Sequence, residues 1–161
     1  MLRRLLAAFF LFAPVAVADD KKEDKKGPEF VVHTGHFEKN NSGLKDEPSL
    51  LLITSSDDFE KVFGTVPPAG LGGGGKKNNP VKKDDFDTEV VAAVIKRGKA
   101  ITTYTEVSTK TDGETLTVSC KSVEGNAGTA TFASPLIVSV PKGKVKTVVF
   151  VENGNEIGTA K

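Results

Sequence analysis

The sequence predicts an α+β, mainly β, domain: an antiparallel curled sheet or small sandwich of seven or eight strands, with one short helix near residues 56–63. Three observations predict it. Short β-branched runs recur through the second half of the chain, separated by Gly, Pro, Asn and Asp turn signals. Only one segment, around Phe59, carries apolar residues at helical spacing. The alternating helices that a parallel, doubly wound sheet requires are missing. With 161 residues the chain holds one domain of ordinary size, and its 38% hydrophobic content is enough for a packed core.

Met1 to Ala18 reads as a secretory signal peptide. Arg3 and Arg4 supply the positive start, Leu5 to Val17 the apolar run, and Ala16-Val17-Ala18 the small-residue cleavage site. The run is about 13 residues, short of the roughly 20 that span a bilayer, and Pro14 interrupts it. Cleavage after Ala18 gives a periplasmic or secreted protein with no membrane attachment. It also removes two arginines, which turns a net charge of +1 into −1. That balance carries no electrostatic footprint of a nucleic-acid binder.

Asp19 to Pro28, with no apolar residue, cannot offset the entropy of ordering and reads as a disordered charged leader to a single domain over 29–161. Phe30-Val31-Val32 and Leu50-Leu51-Leu52-Ile53 read as strands. Ser55 or Ser56 caps a helix whose first turn holds Asp57 and Asp58; Phe59, Val62 and Phe63 share its apolar face and Gly64 ends it. Residues 65–85, rich in Gly, Pro, Lys and Asn, read as a long exposed loop. Val90 to Ile95 is continuously apolar, the mark of a strand buried on both faces, although six such residues also fit a buried helical turn. Ile101–Val107 and Thr115–Lys121 form a hairpin about Asp112-Gly113. Leu136–Val140 and Val145–Val151 read as a second pair across Pro141 to Lys144, and Asn153-Gly154 turns into a last strand at 156–159.

Several motifs invite a chemical reading. Gly70 to Lys76 almost spells a phosphate-binding loop, but Lys77 stands where a Ser or Thr should hold Mg²⁺, and neither a leading strand nor a following helix is present. It reads as a flexible linker. His33 and His36 could converge on a metal only if Gly35 breaks the strand; with two His and one Cys in the chain, surface histidines at a strand end fit better. Asp84, Asp85, Asp87 and Glu89 lack the spacing of an EF-hand and read as a solvated loop. No metal or cofactor is expected. Cys120 has no partner within the chain, which leaves an intermolecular disulfide, a reactive thiol or a buried residue; alternation with Leu116 and Val118 favours burial. No Gly-x-Ser-x-Gly elbow occurs, and no enzymatic activity is expected. Asn40-Asn41-Ser42 is a formal N-glycosylation acceptor.

Phe132-Ala133-Ser134-Pro135-Leu136-Ile137-Val138-Ser139-Val140-Pro141-Lys142, followed by Lys146-Thr147-Val148-Val149-Phe150, resembles the closing signature of the PrcB C-terminal domain family. In order before it, Asp57 to Phe63 resembles that family's short acidic-aromatic helix, Phe86-Asp87 before Val90-Val91 its aspartate ahead of a buried strand, and Tyr104 its strand tyrosine. The resemblance covers roughly residues 50–152. The Gly-Gly that precedes the family's tyrosine is Thr102-Thr103 here. The family is named for an accessory subunit of an exported protease complex, so the resemblance implies a non-catalytic interaction domain.

The expected function is therefore an exported protein-interaction module that associates with or stabilises another exported protein, such as a protease. Its candidate partner-binding residues are Tyr104, Ser134 and Pro135. Pro135 lacks an amide donor, so its strand start either recruits another chain along an edge or guards that edge against aggregation. The alternative is a small-ligand or carbohydrate-binding β domain, against which the scarcity of aromatics weighs: the mature chain holds Tyr104 and seven Phe.

Overall fold

The structure is a computed structural model that describes residues 29–66 and 78–161. The segments expected to be a signal peptide (1–18) and a charged leader (19–28), and the Gly70–Lys76 motif, lie outside the described residues. Among the described residues, ten strands, one α-helix and one 3-10 turn make a mainly β architecture of two four-stranded sheets and a two-stranded ribbon, with the helix covering the outer face of the first sheet. No described helix is long and apolar enough to cross a membrane.

Sheet one has the order β1 (Val31–His33), β8 (Phe132–Pro141), β5 (Glu89–Gly98) and β3 (Ser49–Ile53), all antiparallel. Sheet two has the order β10 (Asn155–Ala160), β9 (Thr147–Glu152), β7 (Thr115–Glu124) and β6 (Thr102–Asp112), in which β7 and β9 run parallel. A short ribbon of β2 (His36–Glu38) and β4 (Phe63–Thr65) stands apart from both. These two three-residue strands take the count past the seven or eight expected, because neither has enough sequence for a visible alternation.

Strand β5 explains the layering. Val90, Ala92 and Val94 face sheet two and meet Leu116, Val118, Cys120, Val148 and Phe150. Val91, Ala93 and Ile95 face the other way, where Phe59 and Val62 of the helix α1 (Ser56–Val62), with Phe63 and Phe86, close over them. Alternate residues of one strand thus build two cores, as its unbroken apolar run requires. Ser55 caps α1, its Oγ accepting the Asp58 amide at 3.2 Å.

Four local expectations are corrected. Gly64 does not end the helix in a left-handed turn; the chain becomes extended at Phe63 and runs straight into β4. The first hairpin turns on Gly113-Glu114, with Asp112 as the last residue of β6 paired to Thr115, and Gly113 supplies the positive φ of 59°. The apolar runs at 136–140 and 145–151 do not pair. β8 lies between β1 and β5, whereas β9 lies between β7 and β10, so residues 142–146 carry the chain from one sheet to the other. Alternation marks both runs as strands but carries no information on which neighbour each one finds. The fourth concerns the loop at 65–85: its end, from Asn78, returns to the β1–β2 corner and then forms the 3-10 turn Lys83–Asp87 anchored by buried Phe86.

Candidate interaction surface

The structure brings two of the sequence-predicted site residues into contact. Tyr104 on β6 donates its phenol proton to the Ser134 carbonyl at 3.1 Å, and Ser134 Oγ accepts the Thr102 amide proton at 3.0 Å. These bonds join sheet two to sheet one at one end of the sandwich. Burial, reinforced by the charge of Glu152, holds the Tyr104 phenol well above its ordinary pKa. Ser134 is itself buried, so the polar groups of this pair point inward and fix the start of β8. Pro135 follows, opposite Ile95 and beyond the last residue of β8 that β1 covers. Nearby, Lys96 bridges Glu152 at 3.0 Å; burial works against the Glu152 carboxylate, but bonds from Ser122 and Lys96 outweigh it and lower its pKa.

The surface beside that fixed strand start is a cleft of about 620 Å³. Phe37 of β2 and Phe132 of β8 stand on it with 47% and 37% of their area exposed, unusually open for phenylalanines. Leu44, Lys39 and Lys45 of the β2–β3 connection contribute to the lining, as does Ala133. Arg97 is the hub of this end. Its Nε and one terminal nitrogen hold the two Glu38 oxygens at 2.8 and 2.6 Å, and the other reaches the Asp46 carbonyl and Ser49 Oγ, each at 3.0 Å. Ser42 adds a third bond to Glu38 at 2.7 Å. Burial alone would raise the Glu38 pKa; Arg97 and Ser42 reverse that and hold it below the ordinary value. The cleft is thus assembled on a rigid fork between three chain segments.

His33 and His36 are corrected from surface positions to internal clasps. His33 is buried and sits between Ser139 Oγ, 2.8 Å from Nε2, and the Asn79 carbonyl, 3.2 Å from Nδ1. His36 Nε2 accepts the Val81 amide proton at 2.9 Å, with Nδ1 3.3 Å from the Gly64 carbonyl. A carbonyl only accepts, so both rings carry a proton on Nδ1, and at His36 the amide proton donated to Nε2 makes the ring neutral. Burial lowers both pKa values. Although Nε2 of His33 faces a serine hydroxyl, Ser139 is 1% exposed, which leaves no room for a substrate at that oxygen. Asp84, Asp85 and Asp87 lie in the 3-10 turn rather than an open loop, and Asp85 Oδ2 accepts the Lys82 amide at 2.7 Å. Among the described residues no group of three or more His, Cys, Asp or Glu is placed to hold a metal ion.

Sequence reasoning missed Phe37, Lys39, Lys45, Arg97 and Phe132. The signal available was weak: Phe37 is an aromatic flanked by polar residues, and Arg97 sits at the end of an apolar run. What makes them a site is the meeting of β2, β5 and β8. Comparison of the chain with family models, curated proteins and solved structures returns no significant match.

Proposed function

We propose that the protein is an exported, non-catalytic interaction module that associates with another exported protein, such as a protease. One observation carries the reading: two large aromatic rings are left open to solvent on the walls of one cleft, on a scaffold that buries its other described phenylalanines fully or in large part. Clustered exposed aromatics on a rigid base are what interfaces use as anchors. The resemblance of residues 50–152 to the PrcB C-terminal domain family supports the protease-associated form of this reading, and Met1 to Ala18 supports export.

The test is to tag the protein in its native host, cross-link outside the cytoplasm and identify bound proteins by mass spectrometry, beside a Phe37→Ser, Phe132→Ser variant. One stoichiometric partner, lost in the variant, is the expected result. Recovery of the protein alone removes this reading and puts a small ligand in the cleft first, since its volume lies in the range of such sites.

A further inference from the structure

The open edge of β8 says what kind of segment the cleft takes. β5 pairs with β8 along the whole strand, Phe132 to Pro141, whereas β1 pairs only with Ile137, Val138 and Ser139. Pro135 has no amide proton, so its pair with Ile95 must be one that exchanges no hydrogen bonds. Counting by twos, Ala133 opposite Arg97 is of the same kind, and its backbone groups point away from β5. Arg97 shows the matching behaviour from its side: its amide proton goes outward, to Glu47 Oε1 at 2.9 Å. The Ala133 amide and carbonyl therefore face the side that β1 leaves uncovered, and Ala133 lines the cleft.

Charge narrows the occupant. Among the described lining residues Glu38 is the single acid, and it is neutralised by Arg97. Lys39 and Lys45 have no acidic partner among the described residues; Lys39 donates to the Glu60 carbonyl, which leaves its charge in place. A positive cleft on a nearly neutral protein selects an anionic partner.

Resting on the interaction-module reading above, we propose that the cleft binds an extended acidic segment of the partner protein. The segment adds to the edge of β8 through Ala133, sets one apolar side chain between Phe37 and Phe132, and places carboxylates on Lys39 and Lys45. Main-chain bonds of this kind give affinity without sequence preference, and the rings and lysines give the preference. Pro135 limits the added strand to a few residues and so blocks open-ended stacking of β8 edges.

The experiment places a photo-reactive benzoylphenylalanine at residue 132, or at Lys110 on the distant edge strand β6, in the protein exported by its host. Irradiation at 132, and not at 110, should attach the partner through a segment rich in Asp and Glu around an apolar residue. The Lys39→Glu, Lys45→Glu variant should cut that yield about tenfold, as expected for reversing two surface ion pairs. Partner binding should also slow hydrogen exchange at the Ala133 amide. Capture at 110 alone, or a basic or helical segment at 132, overturns the proposal and leaves the interaction-module reading standing. Absence of capture at either position removes both.

Discussion

The ring of Phe37 occupies the space that a side chain on Gly64 would need: an ideal Cβ there falls 2.4 Å from Phe37 Cζ. The two residues face each other across the β2–β4 ribbon. Glycine at 64 thus lets the ring lie over the neighbouring strand. A methyl group would meet the far end of a half-exposed side chain, which can turn away. Gly64→Ala should therefore change stability by less than about 1 kcal/mol while displacing Phe37 and weakening partner capture. Thermal unfolding and the cross-linking yield, measured together, check this; a large loss of stability would mean the ring cannot move.

Arg97 binds β2 to β5 through Glu38 and also holds the residues that lead into β3. The Glu38 side chain is 9% exposed, so removing its partner strands a carboxylate in poor solvent. Arg97→Ala should cost about 3 kcal/mol. Arg97→Lys should recover only part of this, because an ammonium cannot hold both Glu38 oxygens and reach Ser49 as well. Urea midpoints of the two variants give the comparison, and equal values would remove the fork from the account.

The sheet layers were legible where one strand carried the whole signal. Six consecutive apolar residues from Val90 to Ile95 announced a strand buried on both faces, and the pattern at Leu116, Val118 and Cys120 put Cys120 inside. Asn153-Gly154 was legible too, since both residues take positive φ, 52° and 83°. Pairing was not. Pro141 to Lys144 looks like a hairpin turn, yet it crosses between sheets, because a strand's partner is chosen by packing across the core and not by the nearest turn. Tyr104, which a resemblance singles out, and Ser134, which the proline beside it at a strand start singles out, prove to touch, whereas the cleft beside them was invisible because its walls come from positions 37, 97 and 132. Polar histidines misled for a related reason: one reads as exposed until the Asn79 carbonyl and Ser139 hydroxyl that satisfy it are seen together.

Tyr104 and Ser134 hold the sheets together at one end. Tyr104→Phe removes one bond to a carbonyl and should cost about 1 kcal/mol. Ser134→Ala leaves the buried Thr102 amide without its acceptor and should cost more, about 2 kcal/mol. If the tie also positions β8, both variants raise hydrogen exchange at Leu136 before they unfold the protein. Equal exchange in variant and wild type would confine the tie to stability.

Cys120 faces the core, and burial with the charge of Glu152 pushes its thiol above the ordinary pKa. Both conditions suppress the thiolate that alkylating reagents attack. Iodoacetamide should label the native protein at the rate of global or local opening, and label it at the rate of a free thiol once urea has unfolded it. Fast labelling of the native state would show that the middle of β7 opens readily.

The two histidines make stability depend on pH with a definite sign. Their unfolded value is near 6.5, and in the folded protein burial lowers both, only partly opposed at His33 by the Asn79 carbonyl and then by Asp85 and Glu89, and at His36 by the Gly64 carbonyl, where His33 adds a further lowering. Between the lowered folded values and 6.5 the unfolded chain binds more protons, so stability falls as pH drops below 6.5 and levels off once the folded values are passed. Protonation also destroys an acceptor, since a charged His36 can no longer take the Val81 amide proton. The carboxylates of Glu38 and Glu152 act in a separate window, because their lowered values place the loss below 4.5. Urea midpoints should therefore be flat well above 6.5 and decline as pH falls below it, with the protection of the Val81 amide declining in parallel. In the His33→Gln, His36→Gln variant the protein should be weaker at pH 7.5 but lose that slope. A wild-type midpoint that stays level across the same interval would show that neither ring is held neutral by the fold.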